Sequence, residues 1–199
     1  MVKYKKMKDI IVIDNVLDSN EYVKIEEELK QLSQFLEYKK VGDFEFYRYH
    51  VDQHYVNNRK ESMILEIFHN KIYNEEMYSL VDKIPDLSYK LLKCPHRYTT
   101  QITSMKGMYG WHYDMYPQDN RIVWTKQFLT WFWYYKPKDT YSEGNLIIPD
   151  SDFDEEPVNN RLILLASHKD HMVKPIKPKK NNLGLLEQRV TVGGHMLIE

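Results

Sequence analysis

Cysteine is almost missing: Cys94 stands alone among 199 residues, which excludes an intramolecular disulfide and fits a reducing compartment. Charge of one sign is missing as well. The formal net charge is -1 and the pI about 6.7, so no global field recruits nucleic acid or an anionic membrane. No long apolar run occurs. The apolar stretch near the start, Ile10 to Ile13, lies between Asp9 and Asp14 and is too short for a signal sequence or a membrane span. Together these absences lead us to expect a cytoplasmic protein with no nucleic-acid and no membrane partner. Neither an internal repeat nor a low-complexity tract is present.

What remains is a chain able to build a core. Hydrophobic residues make up 42% of it, and the mean hydropathy of -0.64 reflects the 29% of charged residues and sixteen tyrosines. The length suits one domain spanning 1–199. Residues 1–95 read as an N-terminal strand with supporting helices. A buried strand over 10–13 precedes a helix capped by Asp18, Ser19 or Asn20 and running to about Tyr38, with Tyr22, Ile25, Leu29, Leu32 and Leu36 on its apolar face. Alternation over 44–51 predicts a strand, and the segment 36–60 is a candidate substrate-covering flap. A second helical stretch covers 60–82, with Pro85 ending it.

From 96 to 199 the pattern changes. Runs with β propensity follow at 96–105, 107–113, 123–135, 144–148, 161–166, 171–176 and 188–198, separated by turn-forming clusters such as 117–120 and 149–160. Many short strands at such spacing predict a jelly roll. The expected fold is therefore α+β, a double-stranded β-helix (jelly-roll) core with N-terminal helices packed on one sheet. The acidic stretch Asp150 to Glu156 reads as a solvated loop. The basic stretch 174–182 reads as an exposed hairpin connection, with a substrate-contacting loop as the alternative. Trp111, Trp131 and Trp133 read as core or pocket wall.

Two histidines and a carboxylate with open coordination positions suit iron(II) chemistry. His-x-Asp on an extended segment sends both side chains to one side of a sheet. Three such pairs occur, His50/Asp52, His112/Asp114 and His168/Asp170, so the pair alone selects nothing. Only His112/Asp114 is followed by a succession of strands and then by a further histidine, His171, and an arginine, Arg189.

Six ordered blocks carry a family resemblance over residues 98–198. They are Tyr109-Gly110-Trp111-His112-Tyr113-Asp114, then Leu129 to Tyr135, then Glu143-Gly144-Asn145-Leu146. Arg161-Leu162-Ile163-Leu164, His171-Met172-Val173-Lys174-Pro175 and Arg189-Val190-Thr191 complete them. In this order they resemble the prolyl 4-hydroxylase-like branch of the 2-oxoglutarate/iron(II)-dependent dioxygenases. The resemblance implies that His112, Asp114 and His171 bind Fe(II). It implies that Arg189 anchors the distal carboxylate of the cosubstrate 2-oxoglutarate, with Tyr134 and Thr191 adding hydroxyl groups and Tyr109 lining the pocket. It further implies an oxygenase that uses O2 to hydroxylate an unactivated C–H bond, on a prolyl or other peptidyl side chain. A free amino acid or small metabolite is the alternative substrate, and a non-catalytic metal-binding jelly-roll module is a reading from another class. The chain departs from the family pattern at Asn145, which stands where a second glycine is usual, and in the wide spacing from His171 to Arg189. Lys174 and Lys177 are the fallback cations for the anchor.

Overall fold

The computed structural model describes residues 4–7, 10–52, 62–81, 96–112, 114, 126–167 and 169–198. Pro85, Cys94, His168 and the turn expected over 117–120 lie outside the described residues.

Among the described residues, the first half includes β1 (Tyr4–Met7), β2 (Ile10–Asp14), α1 (Ser19–Leu32), β3 (Glu37–Val41), β4 (Phe44–His50), α2 (Met63–Ile72) and α3 (Glu75–Val81). The described residues of the second half form ten strands: β5 (His96–Met105), β6 (Tyr109–His112), β7 (Lys126–Tyr135), β8 (Tyr141–Glu143), β9 (Leu146–Ile148), β10 (Phe153–Glu155), β11 (Arg161–Ala166), β12 (His171–Val173), β13 (Ile176–Pro178) and β14 (Arg189–Ile198).

α1 begins where Asp18 accepts hydrogen bonds from the backbone of Asn20 and Glu21 while Glu21 reaches back to the Asp18 N–H, a capping box. It ends at Leu32, short of the expected Tyr38, because a 3-10 turn over Ser33–Phe35 releases the chain into β3. The expected helix over 60–82 is two helices. Asn74 divides them: its amide donates to the carbonyls of Asn70 and Lys71, and its Oδ1 accepts from the Met77 N–H, so one side chain closes α2 and caps α3. Tyr22 aside, the expected apolar face of α1 is buried as read.

Eight strands form the main sheet in the order β1-β2-β11-β7-β14-β5-β4-β3, and four form a smaller sheet, β10-β9-β12-β6; β8 and β13 pair separately. Every pairing is antiparallel. Alternation then sorts side chains to two faces. Ile11, Ile13, Trp131, Trp133, Leu162, Leu164, Val190 and Val192 face α1, α2 and α3, where they meet Ile25, Leu29 and Phe68. Ile10, Val12, Tyr134, Ile163 and Leu165 face the smaller sheet and pack on Leu146, Ile148 and Phe153. β11 is buried on both faces, which is why it reads as an unbroken apolar run. This is the expected jelly roll with helices on one sheet.

The acidic stretch is corrected. Ile148 leads into a 3-10 turn over Pro149–Ser151, and β10 then pairs with β9 and buries Phe153 in the core. The basic stretch contains β13, paired with β8. Trp131 and Trp133 are core residues, but Trp111 is 57% exposed on β6. Among the described residues no helix is long and apolar enough to cross a membrane.

Candidate metal centre

The antiparallel pairing of β6 and β12 sets His112 directly opposite His171. Asp114 follows two residues after His112, its own N–H donating to the Ser167 carbonyl at 2.9 Å. One ligand atom from each of His112, Asp114 and His171 lies within 4.8 Å of the others. Nε2 of His112 is 3.7 Å from Asp114 Oδ1, and Nε2 of His171 is 3.8 Å from Asp114 Oδ2.

Both imidazoles are held in one tautomer. Nδ1 of His112 is 2.7 Å from the Gly110 carbonyl, and Nδ1 of His171 is 2.9 Å from the Lys169 carbonyl. A carbonyl can only accept, so each Nδ1 donates and each Nε2 is the nitrogen turned to the cluster. Ring orientation and tautomer are thus set by backbone groups. Burial lowers the pKa of His112, and the neighbouring His171 adds to this. Burial alone would raise the pKa of Asp114, but His171, His195 and the Thr130 hydroxyl hold it below the usual carboxylate value.

The Asp114 carboxylate is also tethered from the main sheet. The Thr130 hydroxyl donates to Oδ2 at 2.7 Å, and Ser167 Oγ and His195 Nδ1 lie 3.0 and 3.2 Å from the same Thr130 oxygen. A hydroxyl has one proton, so with that proton on Asp114 both neighbours must donate to Thr130. His195 therefore carries its proton on Nδ1.

A cavity of about 470 Å³ joins this cluster to the main sheet. Its floor is a grid set by register. One row runs Tyr134, Thr191, Thr103, Arg48 across β7, β14, β5 and β4; the next runs Phe132, Gly193, Gln101, His50; Thr130 and His195 pair in the row beyond. Arg189 stands on the other side of the first row, opposite Met105. Gly193 is required there, since a Cβ would fall 2.7 Å from the Trp131 carbonyl oxygen and 2.9 Å from the Phe132 Cβ.

All seven residues singled out in the sequence, His112, Asp114, His171, Arg189, Tyr134, Thr191 and Tyr109, line this one cavity, whereas Lys174 and Lys177 do not. Lys174 pairs with Asp154 at 3.0 Å, and the side chain of Lys177 is largely exposed. Arg189 is buried, and its Nη1 donates to the carbonyls of Lys174 and Gly144 at 2.7 and 3.3 Å. Its Nη2 is buried with no hydrogen-bond partner among the described residues. Burial lowers its pKa to about 10, which still leaves a cation at neutral pH. Burial likewise pushes Tyr134 up to about 12, so its hydroxyl stays protonated as a donor. Thr130, Gln101 and His195 also line the cavity and escaped the sequence reading, and with them stand Arg48 and His50 from the segment 36–60 read as a candidate flap. The signal that finds them is strand alternation combined with register, and register was not in the sequence pattern.

Comparison with known proteins supplies no sequence relative: no family model matches the chain, and no curated protein does. Solved structures do match. A prolyl 4-hydroxylase from Pseudomonas putida superimposes with a TM-score of 0.68 at 12% identity, covering 96% of this chain and 94% of its own. The chain has the fold of the 2-oxoglutarate–Fe(II) oxygenases. A viral collagen prolyl hydroxylase from Paramecium Bursaria Chlorella virus-1, in complex with 2-oxoglutarate, matches with a TM-score of 0.56 at 15% identity over 95% of this chain and 96% of its own. The non-haem α-ketoglutarate-dependent epimerase of nogalamycin biosynthesis, SnoN, matches at 0.61 and 12% identity over 96% and 78%. The matches thus extend over 95–96% of this chain at identities too low to transfer an activity.

Proposed function

We propose that this chain is an iron(II)- and 2-oxoglutarate-dependent oxygenase that hydroxylates an unactivated C–H bond of a peptide or small-molecule substrate. His112, Asp114 and His171 would hold Fe(II), and Arg189 would hold the distal carboxylate of 2-oxoglutarate, with Tyr134 and Thr191 donating beside it and Tyr109 lining the metal end. The observation that carries the reading is Arg189. A buried guanidinium with an unsatisfied Nη2 is costly unless an anion completes it, and a fork of N–H groups fits a carboxylate bidentately. The donor set fits the metal equally: two imidazoles with Nε2 turned inward and one carboxylate leave coordination positions open.

Iron(II) with 2-oxoglutarate supplies the activation of O2, with succinate and carbon dioxide as the other products. The protein's residues orient and enclose. Backbone carbonyls fix the two imidazoles, and Thr130 holds one Asp114 oxygen, which would leave the other to bind the metal. Phe132, Leu146 and Val173 line the cavity with apolar surface near the reacting groups. A pure metal-binding module would have no use for a buried anion anchor in the same cavity. The single cysteine fits a reducing, cytoplasmic setting.

The test is release of succinate and carbon dioxide from 2-oxoglutarate, dependent on added iron(II). Arg189→Ala should raise the 2-oxoglutarate requirement 100-fold or more, roughly 2.8 kcal/mol by the tenfold-per-1.4 rule, with metal content unchanged. An unchanged requirement contradicts the anchor assignment.

A further inference from the structure

The cavity has a polar side that neither the metal nor the oxo acid uses. Arg48 and His50 on β4 stand directly opposite Thr103 and Gln101 on β5, and directly opposed residues of an antiparallel pair share a face. All four line the cavity. Arg48 is not a loosely held surface cation: its guanidinium lies 4.5 Å from the Phe46 ring centroid, and Phe46 is itself buried and packs edge-on against Tyr109 at 6.0 Å. The head group is thereby pre-set against an aromatic face at the wall.

We propose that this β4–β5 face is a subsite for a carboxylate of the substrate, with Arg48 as its charged contact and His50, Gln101 and Thr103 as the polar groups around it. The proposal rests on the oxygenase reading and names the substrate class within it.

Charge is the first argument. Among the described residues lining the cavity, the formal charges are Asp114, Arg189 and Arg48. Arg48 brings a cation to the β4 side of the wall, apart from the groups assigned to the metal and the oxo acid, and a guanidinium attracts an anionic substrate group where a neutral one gains nothing from its charge. A guanidinium carries five N–H donors, so bonds made within the wall are compatible with a ligand on its other edge.

Position is the second argument. Arg48 shares a row with Thr191, two strand spacings away, or roughly 10 Å at the ordinary inter-strand distance. Arg189 lies at the β14 side of the floor and Arg48 at the β4 side. Two carboxylates would be bound at separate ends, so that the cosubstrate and the substrate do not exchange places. Between them, in the next row, Gly193 contributes no side chain to the floor.

Chemistry is the third. Donors dominate this face: guanidinium, carboxamide N–H groups, a hydroxyl and an imidazole. Carboxylate recognition by such a set is selective because the matched carboxamide presents one acceptor in place of two and carries no charge.

The test is anaerobic calorimetric titration of the protein loaded with iron(II) and 2-oxoglutarate. The probes are free amino acids, their carboxamides, and end-capped peptides with and without Asp or Glu. Compounds bearing a carboxylate should bind at least 10-fold more tightly than the matched carboxamides. Arg48→Gln should erase that preference and Arg48→Lys should retain part of it, while the visible band of the iron(II)–2-oxoglutarate complex forms in both variants. Binding of free amino acids alone assigns the carboxylate to a small substrate, and binding of acidic capped peptides assigns it to a peptide side chain. Equal binding of carboxamides, full preference in Arg48→Gln, or no binding of any carboxylate while the band is present overturns the subsite. A wild-type protein without the band overturns the oxygenase reading instead.

Discussion

Thr130 shows how much depends on one hydroxyl. It donates to Asp114 and accepts from Ser167 and His195, so it couples the carboxylate to the main sheet. Thr130→Val keeps the shape and removes the bond; iron affinity should fall about 10- to 100-fold, the range found for partners of metal ligands. Competitive chelator titration measures it, and an unchanged affinity contradicts the coupling. Asn160 plays a comparable structural part. It is buried at φ 58°, accepts from Leu17 N–H and Trp133 Nε1, and donates to the Leu17 carbonyl. Asn160→Ala should cost about 2–4 kcal/mol in denaturant unfolding, since three buried groups lose a partner and a left-handed backbone loses its natural residue. Neither role was readable beforehand. His112, Asp114, His171 and Arg189 stand out because their chemistry is unusual and their order is informative, whereas a threonine in an aromatic strand becomes significant only when register sets it against Asp114.

At the scale of elements, some strands were legible from their residues, β5 from its β-branched and aromatic ones and β11 from its apolar run. β5 and β11 have the bounds expected for them, 96–105 and 161–166. The short strands were not. β8 and β10 carry Ser, Glu and Asp, which read as turn or loop, and only pairing with β13 and β9 makes them strands. The break between α2 and α3 was missed for a related reason, because apolar spacing runs straight through Asn74. Another element-level dependence links α1 to α2. Glu28, buried on α1, accepts from Ser62 Oγ at 2.8 Å and from the Ile64 N–H at 2.7 Å, and so caps α2 across the helix pair. Glu28→Ala should destabilise the fold by about 1–3 kcal/mol, because two buried donors then lack an acceptor. Thermal unfolding compared with Glu28→Gln, which retains one acceptor oxygen, would show whether the cap matters. Equal stability of all three proteins would refute it.

For the whole molecule, the main sheet is the platform that joins both halves of the chain. β2 from the N-terminal part pairs with β11, and β3–β4 extend the sheet beyond β5, so the first half supplies a wall of the cavity as well as the supporting helices. The segment 36–60, a candidate flap in the sequence, includes that β3–β4 hairpin, a built-in edge of the sheet that brings Arg48 and His50 to the cavity; residues 53–61 lie outside the described residues. The facing sheet contributes His112 and His171, with Asp114 two residues beyond β6, so the proposed metal and oxo-acid positions meet only when both sheets are formed. The measurement that bears most directly on this account is the anaerobic visible spectrum after adding iron(II) and 2-oxoglutarate. The account predicts a weak charge-transfer band in the wild-type protein that is absent from a folded Asp114→Ala variant. A folded wild-type protein that gives no band, or a band that survives Asp114→Ala unchanged, would contradict it.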